Sequence, residues 1–426
     1  MLQALGAEKI TFWAGKTATQ LPYVTAAKGQ AAAHFNFDAD KIIAFYQKML
    51  EEGEIDQEKF EKIKEIVKED GLTRLYRDVF RKKYISLGQQ EELNIIKEIL
   101  KKQLRKHIID EKIDVLISTN TQAYAGNMSL ADALFEIEKE VLNELSREFN
   151  IRIIKFGHDF FWERLKFSKY ESKRLTRNLR NMITGTKYSR HVVINPDQLK
   201  ELFDKYGIKG DIIVNCRDFH NPPKISESRI REFRKAFKIG EDDIVIAFPV
   251  RKIERKGLDS AIQIVRKVLK GLSDEEQKRV KVLFTHPGDD GERQYAEDIM
   301  IEFESILGKN RIIDVSDGKR WQKAKEFVLD EAYASSDLVL MMSRIEGYGN
   351  ALVESWLHKL PVVVRRYPIY RKYIALLGFA NIELNGQGED DALAPDKNFK
   401  SVVIRTVEMI RSIERVKELK KLKQKL

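Results

Sequence analysis

Short apolar segments alternate with amphipathic ones along most of this chain. Those of the first half are rich in β-branched residues and predict strands at 9–13, 114–118, 151–156, 191–194 and 211–214. Between them, charged stretches with a helical period predict helices over about 38–110 and 128–148. Strands that alternate with helices are typical of parallel α/β sheets.

The second half repeats the alternation and predicts a sheet of about five or six strands. Its apolar segments lie at 244–248, 280–285, 312–315, 337–342 and 362–364. Before them, Asn221-Pro222-Pro223 interrupts regular structure. We therefore predict one domain over 1–220, a second over 221–395, and a basic C-terminal helix over 396–426.

The composition is that of a globular protein. The 426 residues are 43% hydrophobic and 33% charged, and the sequence has no apolar run of membrane-spanning length. The one cysteine, Cys216, excludes an internal disulfide framework and predicts a reducing, cytoplasmic location. With no Cys/His cluster, a structural zinc site is not expected. High Lys, Glu and Ile content is a compositional hint of a thermophile.

A net charge of +10 raises the question of an anionic partner. Residues 411–426 contain seven basic and two acidic side chains, so half of the excess lies in one terminal helix. Because no basic stripe is interleaved with aromatics, we expect no nucleic-acid partner. A solvated helix face is the favoured interpretation, and peripheral contact with anionic lipid headgroups is the alternative.

Two glutamates, Glu346 and Glu354, flank a glycine-containing loop. They lie between an apolar strand and an amphipathic helix, so both are expected at the crevice where open α/β sheets bind ligands. The glycines allow backbone amides to approach a ligand, and the helix N-terminus favours an anion. We predict a nucleotide-sugar site that also includes Gly347, Tyr348, Gly349, Asn350 and Ala351.

Two cations follow the strand at 244–248. Arg251 and Lys256 precede a helix at the edge of the sheet where the glutamate loop is also expected. Such a pair can neutralise a diphosphate that becomes more negative as it departs.

Polar side chains also follow two strands of the first half. His158 comes directly after a strand and is surrounded by aromatics, so it can bind a sugar hydroxyl, or it can be a core residue. The neighbouring Asp159 needs a partner if buried, for which Arg164 is available. Asn120 and Asn127 can hold acceptor hydroxyls or simply cap a helix.

Taken together, these residues resemble the retaining glycosyltransferases of family 4. Glu346 through Glu354 looks like that family's E-x7-E segment, and Arg251 with Lys256-Gly257 looks like its phosphate-binding pair. His158 falls where family members have an active-site histidine. The resemblance implies the GT-B fold, in which two Rossmann-like domains face each other and the C-terminal one binds the nucleotide-sugar.

Within the family, the chain resembles the branch around the mannosylglucosylglycerate synthases. The segments 158–164, 366–370 and 378–379 carry this narrower resemblance. It implies a donor of the GDP-mannose or UDP-glucose type, a small acceptor such as glucosylglycerate, and a role in compatible-solute synthesis. Family members begin with a strand and a glycine-rich loop, whereas residues 1–7 look like the helix that follows, so the first strand is expected to be missing.

By this resemblance, Arg251 and Lys256 bind the leaving phosphates, Glu354 the ribose, Glu346 with the following loop the donor sugar, and His158 the reacting edge. No metal and no cofactor is then expected, since cations take the metal's place. The same fold also serves sugar-nucleotide epimerases and sugar phosphorylases, the latter with pyridoxal phosphate. A non-catalytic nucleotide-sugar binder is the remaining alternative.

Overall fold

The chain forms two compact units, Met1–Val214 and Asn215–Leu426. The computed structural model describes residues 12–13, 32–33, 39–68, 87–124, 128–140, 151–163, 183, 189–288, 292–316, 327–385 and 398–425. The predicted boundary at 220/221 lies near this division, and the predicted C-terminal helix is part of the second unit.

The first unit alternates strands with helices, as predicted. Its described elements are β1 (Phe12–Trp13), β2 (Ala32–Ala33), α1 (Ala39–Glu51), α2 (Gln57–Lys68), α3 (Leu87–Asp110), β3 (Val115–Thr119), α4 (Thr121–Tyr124), α5 (Met128–Glu140), β4 (Arg152–Gly157), β5 (Ser189–Val193), α6 (Pro196–Tyr206) and β6 (Gly210–Ile212). A 3₁₀ turn follows β4 at Phe161–Glu163.

The strands β3, β4, β5 and β6 form a parallel sheet in this order. The strands β1 and β2 pair in parallel with each other. In the described sheet β3 is an edge strand. Residues 1–11, on which the predicted loss of a first strand depends, lie outside the described residues.

A buried charge pair underlies the sheet of the first unit. Lys155 on β4 lies 2.6 Å from Glu138 on α5, and both side chains are buried. In register beside Lys155, His191 on β5 is also buried. Burial, together with the Lys155 charge, lowers the pKa of His191 to about 4, so the imidazole is neutral at neutral pH.

The second unit is a larger α/β unit. Its described elements are α7 (Glu227–Ala236), β7 (Ile244–Phe248), α8 (Leu258–Lys270), α9 (Asp274–Arg279), β8 (Val280–Phe284), α10 (Arg293–Leu307), β9 (Ile312–Asp314), α11 (Leu329–Ala334), β10 (Leu338–Met341), α12 (Asn350–Leu357), β11 (Val362–Arg365), β12 (Ile382–Leu384) and α13 (Phe399–Lys425). Short 3₁₀ or π turns lie at Glu254–Lys256, Lys309–Arg311, Tyr370–Ile374 and Ala375–Leu377.

The six described strands of this unit form a parallel sheet in the order β12-β11-β10-β7-β8-β9. The chain lays β8 and β9 on one side of β7 and then crosses to lay β10, β11 and β12 on the other. The strand order therefore reverses between β7 and β10. In such sheets ligands bind outside the carboxyl ends of the strands at this switch point.

The core of the second unit lies between the sheet and its helices. Phe248 at the end of β7 stacks on Phe284 of β8 at 5.0 Å, and Phe303 of α10 meets the ring of Phe284 edge-on at 5.1 Å. Burial of one such side chain contributes about 1.5–3 kcal/mol. The core thus fixes the ends of the strands from which the candidate site begins.

The basic C-terminal helix α13 packs on the second unit. Val402 and Ile410 are buried in the core cluster, and Arg411 forms an ion pair of 2.9 Å with Glu276. Contact of this helix with a membrane surface stays a prediction. Among the described residues, no helix combines the length and apolarity needed to cross a bilayer.

Candidate active site

The segments that follow β7 and β10 are joined at the switch point of the second sheet. The Arg344 amide donates to the Arg255 carbonyl at 2.9 Å. The Arg344 guanidinium donates to the Glu254 carbonyl at 3.2 Å and to Asp259 Oδ2 at 2.6 Å. The backbone bond and the two side-chain bonds of Arg344 hold the Arg251–Lys256 segment and the Glu346 loop together.

Gly257 makes this close approach possible. Its φ is +64°, a left-handed conformation that side chains rarely adopt. A Cβ at this position would lie 2.0 Å from the carbonyl oxygen of Met342, just after β10. Lys256-Gly257, which is predicted to bind phosphate together with Arg251, is thereby fixed against the end of the neighbouring strand.

Lys256 and Glu346 form a buried ion pair at this junction. Their side chains are 12% and 10% exposed, and Lys256 Nζ donates to Glu346 Oε1. Arg255 Nη1 lies 3.5 Å from the other carboxylate oxygen. Burial lowers the pKa of Lys256 to about 8, although Glu346 opposes this shift. Burial raises the pKa of Glu346, but the charges of Lys256 and Arg255 outweigh it and lower the pKa overall, so the carboxylate stays ionised.

Further cations surround this pair. Arg251 is half-buried, and its charge acts on both Lys256 and His286. Lys252 is already engaged, because its Nζ donates to Asp314 Oδ2 at 2.8 Å, Ser316 Oγ at 2.8 Å and a backbone carbonyl. Of the two residues, only Arg251 was predicted to bind phosphate. The engaged lysine instead ties the ends of β7, β8 and β9 together.

His286, just beyond the end of β8, was not predicted as a site residue. Its Nδ1 lies 2.7 Å from Thr285 Oγ1. Burial and then the charges of Lys256 and Arg251 lower its pKa to about 4. A neutral imidazole therefore lines a strongly cationic site and can accept or donate a hydrogen bond without adding charge. Its position at a strand end was a usable signal in the sequence.

The loop after Glu346 leads into the N-terminus of α12. Gly349 has a φ of +106°, and a Cβ there would lie 2.3 Å from the Tyr367 hydroxyl. That hydroxyl donates to the Tyr348 carbonyl at 2.6 Å, which fixes the loop. Asn350 and Ala351 begin α12, which has no side-chain cap, so its first amides point toward the loop.

Glu354 lies one turn into α12, and both of its carboxylate oxygens have partners. Arg217 Nη2 pairs with Oε1, and the Tyr333 hydroxyl donates to Oε2 at 3.0 Å. Asn350 accepts a bond of 2.8 Å from Asn215. The sequence indicated neither Arg217 nor Tyr333, because each contact joins residues far apart in the chain.

The structure places two acceptor-side candidates, Asn120 and Asp159, beside the catalytic candidate His158 in the first unit. Asn120, with a φ of +59°, accepts from the backbone amides of His158 at 3.1 Å and Asp159 at 3.0 Å. Its side-chain oxygen thus caps the turn after β4. A helix cap, which was one of the two predicted alternatives for Asn120, is not what this oxygen forms. Asn127 and Arg164 lie outside the described residues.

The His158 ring meets Phe156 edge-on at 4.5 Å. Among the residues that the structure describes, its buried Nε2 has no hydrogen-bond partner. Burial lowers its pKa, with Asp159 opposing. A buried polar atom without a partner is costly, so this nitrogen suits a ligand better than a core position does.

Glu163 and Gln198 support this turn and were not predicted. Gln198 Nε2 donates to the His158 carbonyl at 2.9 Å and to Glu163 Oε1 at 3.0 Å. Burial raises the pKa of Glu163 to about 7, although the Phe160 amide and Gln198 oppose it. This carboxyl therefore changes charge near neutral pH, and Gln198 connects it to the His158 carbonyl.

The described residues contain no group of three or more His, Cys, Asp or Glu side chains that could hold a metal ion. The second unit does combine three features at one sheet edge, namely basic side chains, a helix N-terminus and two carboxylates. Such a set can bind a diphosphate beside hydroxyl groups.

Comparison with known proteins places the chain among sugar-transferring enzymes. It is 28% identical over 330 residues to a mannosylglucosylglycerate synthase of Petrotoga mobilis, covering 72% of this chain and 73% of that protein. A mannosylglucosylglycerate synthase of Thermotoga maritima is 25% identical over 316 residues, covering 70% and 68%. No family model matches the chain.

Solved structures show the same fold. One of them is the catalytic domain of starch synthase IV from Arabidopsis thaliana, bound to ADP and acarbose. It matches with a TM-score of 0.51 at 10% identity, and the match covers 77% of this chain and 74% of the starch synthase chain. The GT-B fold and the predicted resemblance are thus confirmed: the chain is a glycosyltransferase related to the mannosylglucosylglycerate synthase branch. Membership of family 4 stays a prediction.

Proposed function

We propose that this glycosyltransferase transfers a hexose, with retention of anomeric configuration, from a nucleoside diphosphate sugar to a small hydroxylated acceptor. The named relatives favour a donor of the GDP-mannose or UDP-glucose type and a glucosylglycerate-like acceptor. One observation carries the proposal. Lys256, Glu346 and the start of α12 meet at the switch point of the second sheet, where ligands of such sheets bind.

In the proposed reaction, Arg251 and Lys256 stabilise the diphosphate as it leaves. The structure pairs Lys256 with Glu346, so phosphates that bind Lys256 compete with that carboxylate. Glu346 then becomes available to accept a hydroxyl of the donor sugar, together with the amides of Gly347–Asn350. Charge stabilisation of this kind acts most strongly in a site that excludes water.

Glu354 would bind the ribose, and His158 with Asp159 would serve the acceptor side. A departing phosphate oxygen can take the acceptor's proton, so no protein nucleophile is needed. We propose that the cationic side chains perform the role that a metal has in other transferases, and turnover in excess chelator tests this. The product would act as a compatible solute made in the cytoplasm.

A screen of sugar nucleotides tests the proposal. GDP-mannose or UDP-glucose at 100 times its Kd should stabilise the protein by about 2.7 kcal/mol, visible as a higher Tm, and GMP or UMP should stabilise it less. With glucosylglycerate added, NMR should show one new glycosidic bond of the donor's anomeric configuration. The absence of a shift with any GDP- or UDP-sugar would overturn the proposal.

The same experiment separates the alternatives. An epimerase would interconvert the nucleotide-sugar without an acceptor. A phosphorylase would carry pyridoxal phosphate, visible by its absorbance. Binding without turnover, whichever hydroxylated acceptor is supplied, would indicate a non-catalytic binder.

A further inference from the structure

The Glu354 carboxylate is held on both sides by residues outside its own helix. Arg217 pairs with Oε1, and the Tyr333 hydroxyl donates to Oε2 at 3.0 Å. The Glu354 side chain is 17% exposed, so it is partly accessible from solvent. The Arg217 side chain is 40% exposed, and ion pairs this exposed contribute little to stability. The two contacts therefore act on the orientation of the carboxylate.

Tyr333 is a rigid hydrogen-bond donor. The residue is buried, and its ring stacks on His358 at 5.1 Å. His358 Nε2 lies 2.8 Å from Asp330 Oδ1, which fixes the imidazole in turn. Burial and the charge of Glu354 raise the pKa of Tyr333 far above its usual range, so the hydroxyl keeps its proton.

Arg217 is also placed by its surroundings. The Asn215 amide donates to Asn350 Oδ1 at 2.8 Å, which ties residues 215–217 to the first turn of α12. The second Arg217 nitrogen, Nη1, donates to the Cys216 carbonyl at 3.2 Å. The guanidinium thus approaches Glu354 from one side while Tyr333 approaches from the other.

The chemistry of the carboxylate defines what this arrangement can bind. Two carboxylate oxygens offer about four acceptor positions. The described residues fill one on each oxygen, which leaves one on each. Two acceptor positions on neighbouring oxygens match two hydroxyls on neighbouring carbons, as in the ribose of a nucleotide.

We propose that Arg217 is a positioning residue that, with Tyr333, orients Glu354 to accept both hydroxyls of the donor's ribose. The inference rests on the proposed function, in which Glu354 binds the ribose. Without Arg217 the carboxylate rotates about a broad torsion, and the second hydroxyl loses its fixed acceptor. The site then distinguishes ribose poorly from deoxyribose.

Calorimetric titration with GDP, UDP and their 2′-deoxy counterparts tests this. In the unaltered protein the 2′-deoxy nucleotide should bind about tenfold more weakly, since one hydrogen bond to a charged group is lost. In Arg217→Met this ratio should fall to about threefold or less, and Tyr333→Phe should act in the same way. Arg217→Lys, which keeps the charge, should restore part of the discrimination.

The control is Arg231→Met on α7, where the arginine is exposed. It should keep the tenfold ratio. Arg217→Met should raise the KM for the sugar nucleotide more than it lowers kcat, because the ribose contact acts equally in ground and transition states. An unchanged ratio in Arg217→Met would overturn the inference alone. Failure of the unaltered protein to bind either nucleotide would overturn the proposed function with it.

Discussion

Replacement of Lys256 by Met removes a largely buried cation of the predicted phosphate site and keeps the length of the side chain. Lys256 is 12% exposed and paired with Glu346. Loss of one preorganised donor in a site of this kind costs about 10²–10³-fold in kcat, or about 2.7–4 kcal/mol. We therefore expect at least a hundredfold lower turnover at saturating donor.

The same change also affects stability, and the two effects must be separated. Removal of one partner of a buried ion pair costs about 3–5 kcal/mol. Arg255, 3.5 Å from the remaining carboxylate, should reduce this cost. Because a typical domain is stable by about 5–15 kcal/mol, the variant should still fold at 25 °C.

Lys281→Met provides a matched control. Lys281 on β8 is 14% exposed and lies 2.7 Å from Asp243, so its burial and pairing resemble those of Lys256. It lies near the amino end of its strand, whereas the candidate site is at the carboxyl ends. Urea unfolding should show similar losses of stability for both variants.

Turnover should separate the two lysines. Only Lys256→Met should lose turnover, measured with the sugar nucleotide that stabilises the unaltered protein. Undiminished kcat in Lys256→Met, or an equal loss in Lys281→Met, would refute the assignment of this lysine to the leaving phosphates.

Three further predictions follow from the geometry. Because the pKa of Lys256 is about 8, its charge is lost as pH rises through 8, and the Kd for nucleotide should increase by up to about tenfold from pH 8 to 9. In calorimetric titrations of Lys256→Arg, the Kd should stay constant over this range. Gly257→Ala should lower the free energy of unfolding by clearly more than the about 1–2 kcal/mol of left-handed strain, since its Cβ would lie 2.0 Å from the Met342 carbonyl oxygen. Gly378→Ala, at φ +76° with open space around it, should cost the strain alone in urea titrations. Burial lowers the pKa of His191 to about 4, below the value of about 6.5 for an unfolded histidine, so unfolding takes up a proton between these pH values. The free energy of unfolding should therefore fall by up to about 3 kcal/mol from pH 6.5 to 4, and an equally steep fall in His191→Gln would contradict this.

The sequence was informative about site residues in the segments that directly follow strands. Because the carboxyl ends of parallel strands lie at one edge of a sheet, the segments after β7 and β10 were expected to lie close together. The sequence could not give the distance between them. The structure joins them through the Arg344–Arg255 backbone bond and the pair of Lys256 with Glu346. The alternation of strands and helices likewise predicted the sheets.

The partners of Glu354 could not be predicted in the same way. Arg217 precedes the second sheet, and Tyr333 lies in a short helix. Neither residue therefore directly follows a strand or belongs to a long periodic pattern that would mark it in the sequence. Asn120 illustrates a different difficulty. Its residue type suits helix caps and turns equally, and only the fold shows that its oxygen receives the amides of His158 and Asp159.

Both predicted donor carboxylates are paired with a cation in the structure, Glu346 with Lys256 and Glu354 with Arg217. In the proposed mode of binding, the sugar nucleotide exchanges the partners of these carboxylates as well as adding contacts. When phosphates bind Lys256, Glu346 loses its ion-pair partner. A hydroxyl of the sugar can then donate a hydrogen bond to the Glu346 carboxylate in its place. A diphosphate without a sugar leaves that carboxylate less well satisfied, and an unsatisfied buried group is costly. The Lys256–Glu346 pair thus provides a physical reason for the site to favour a complete sugar nucleotide over the bare diphosphate.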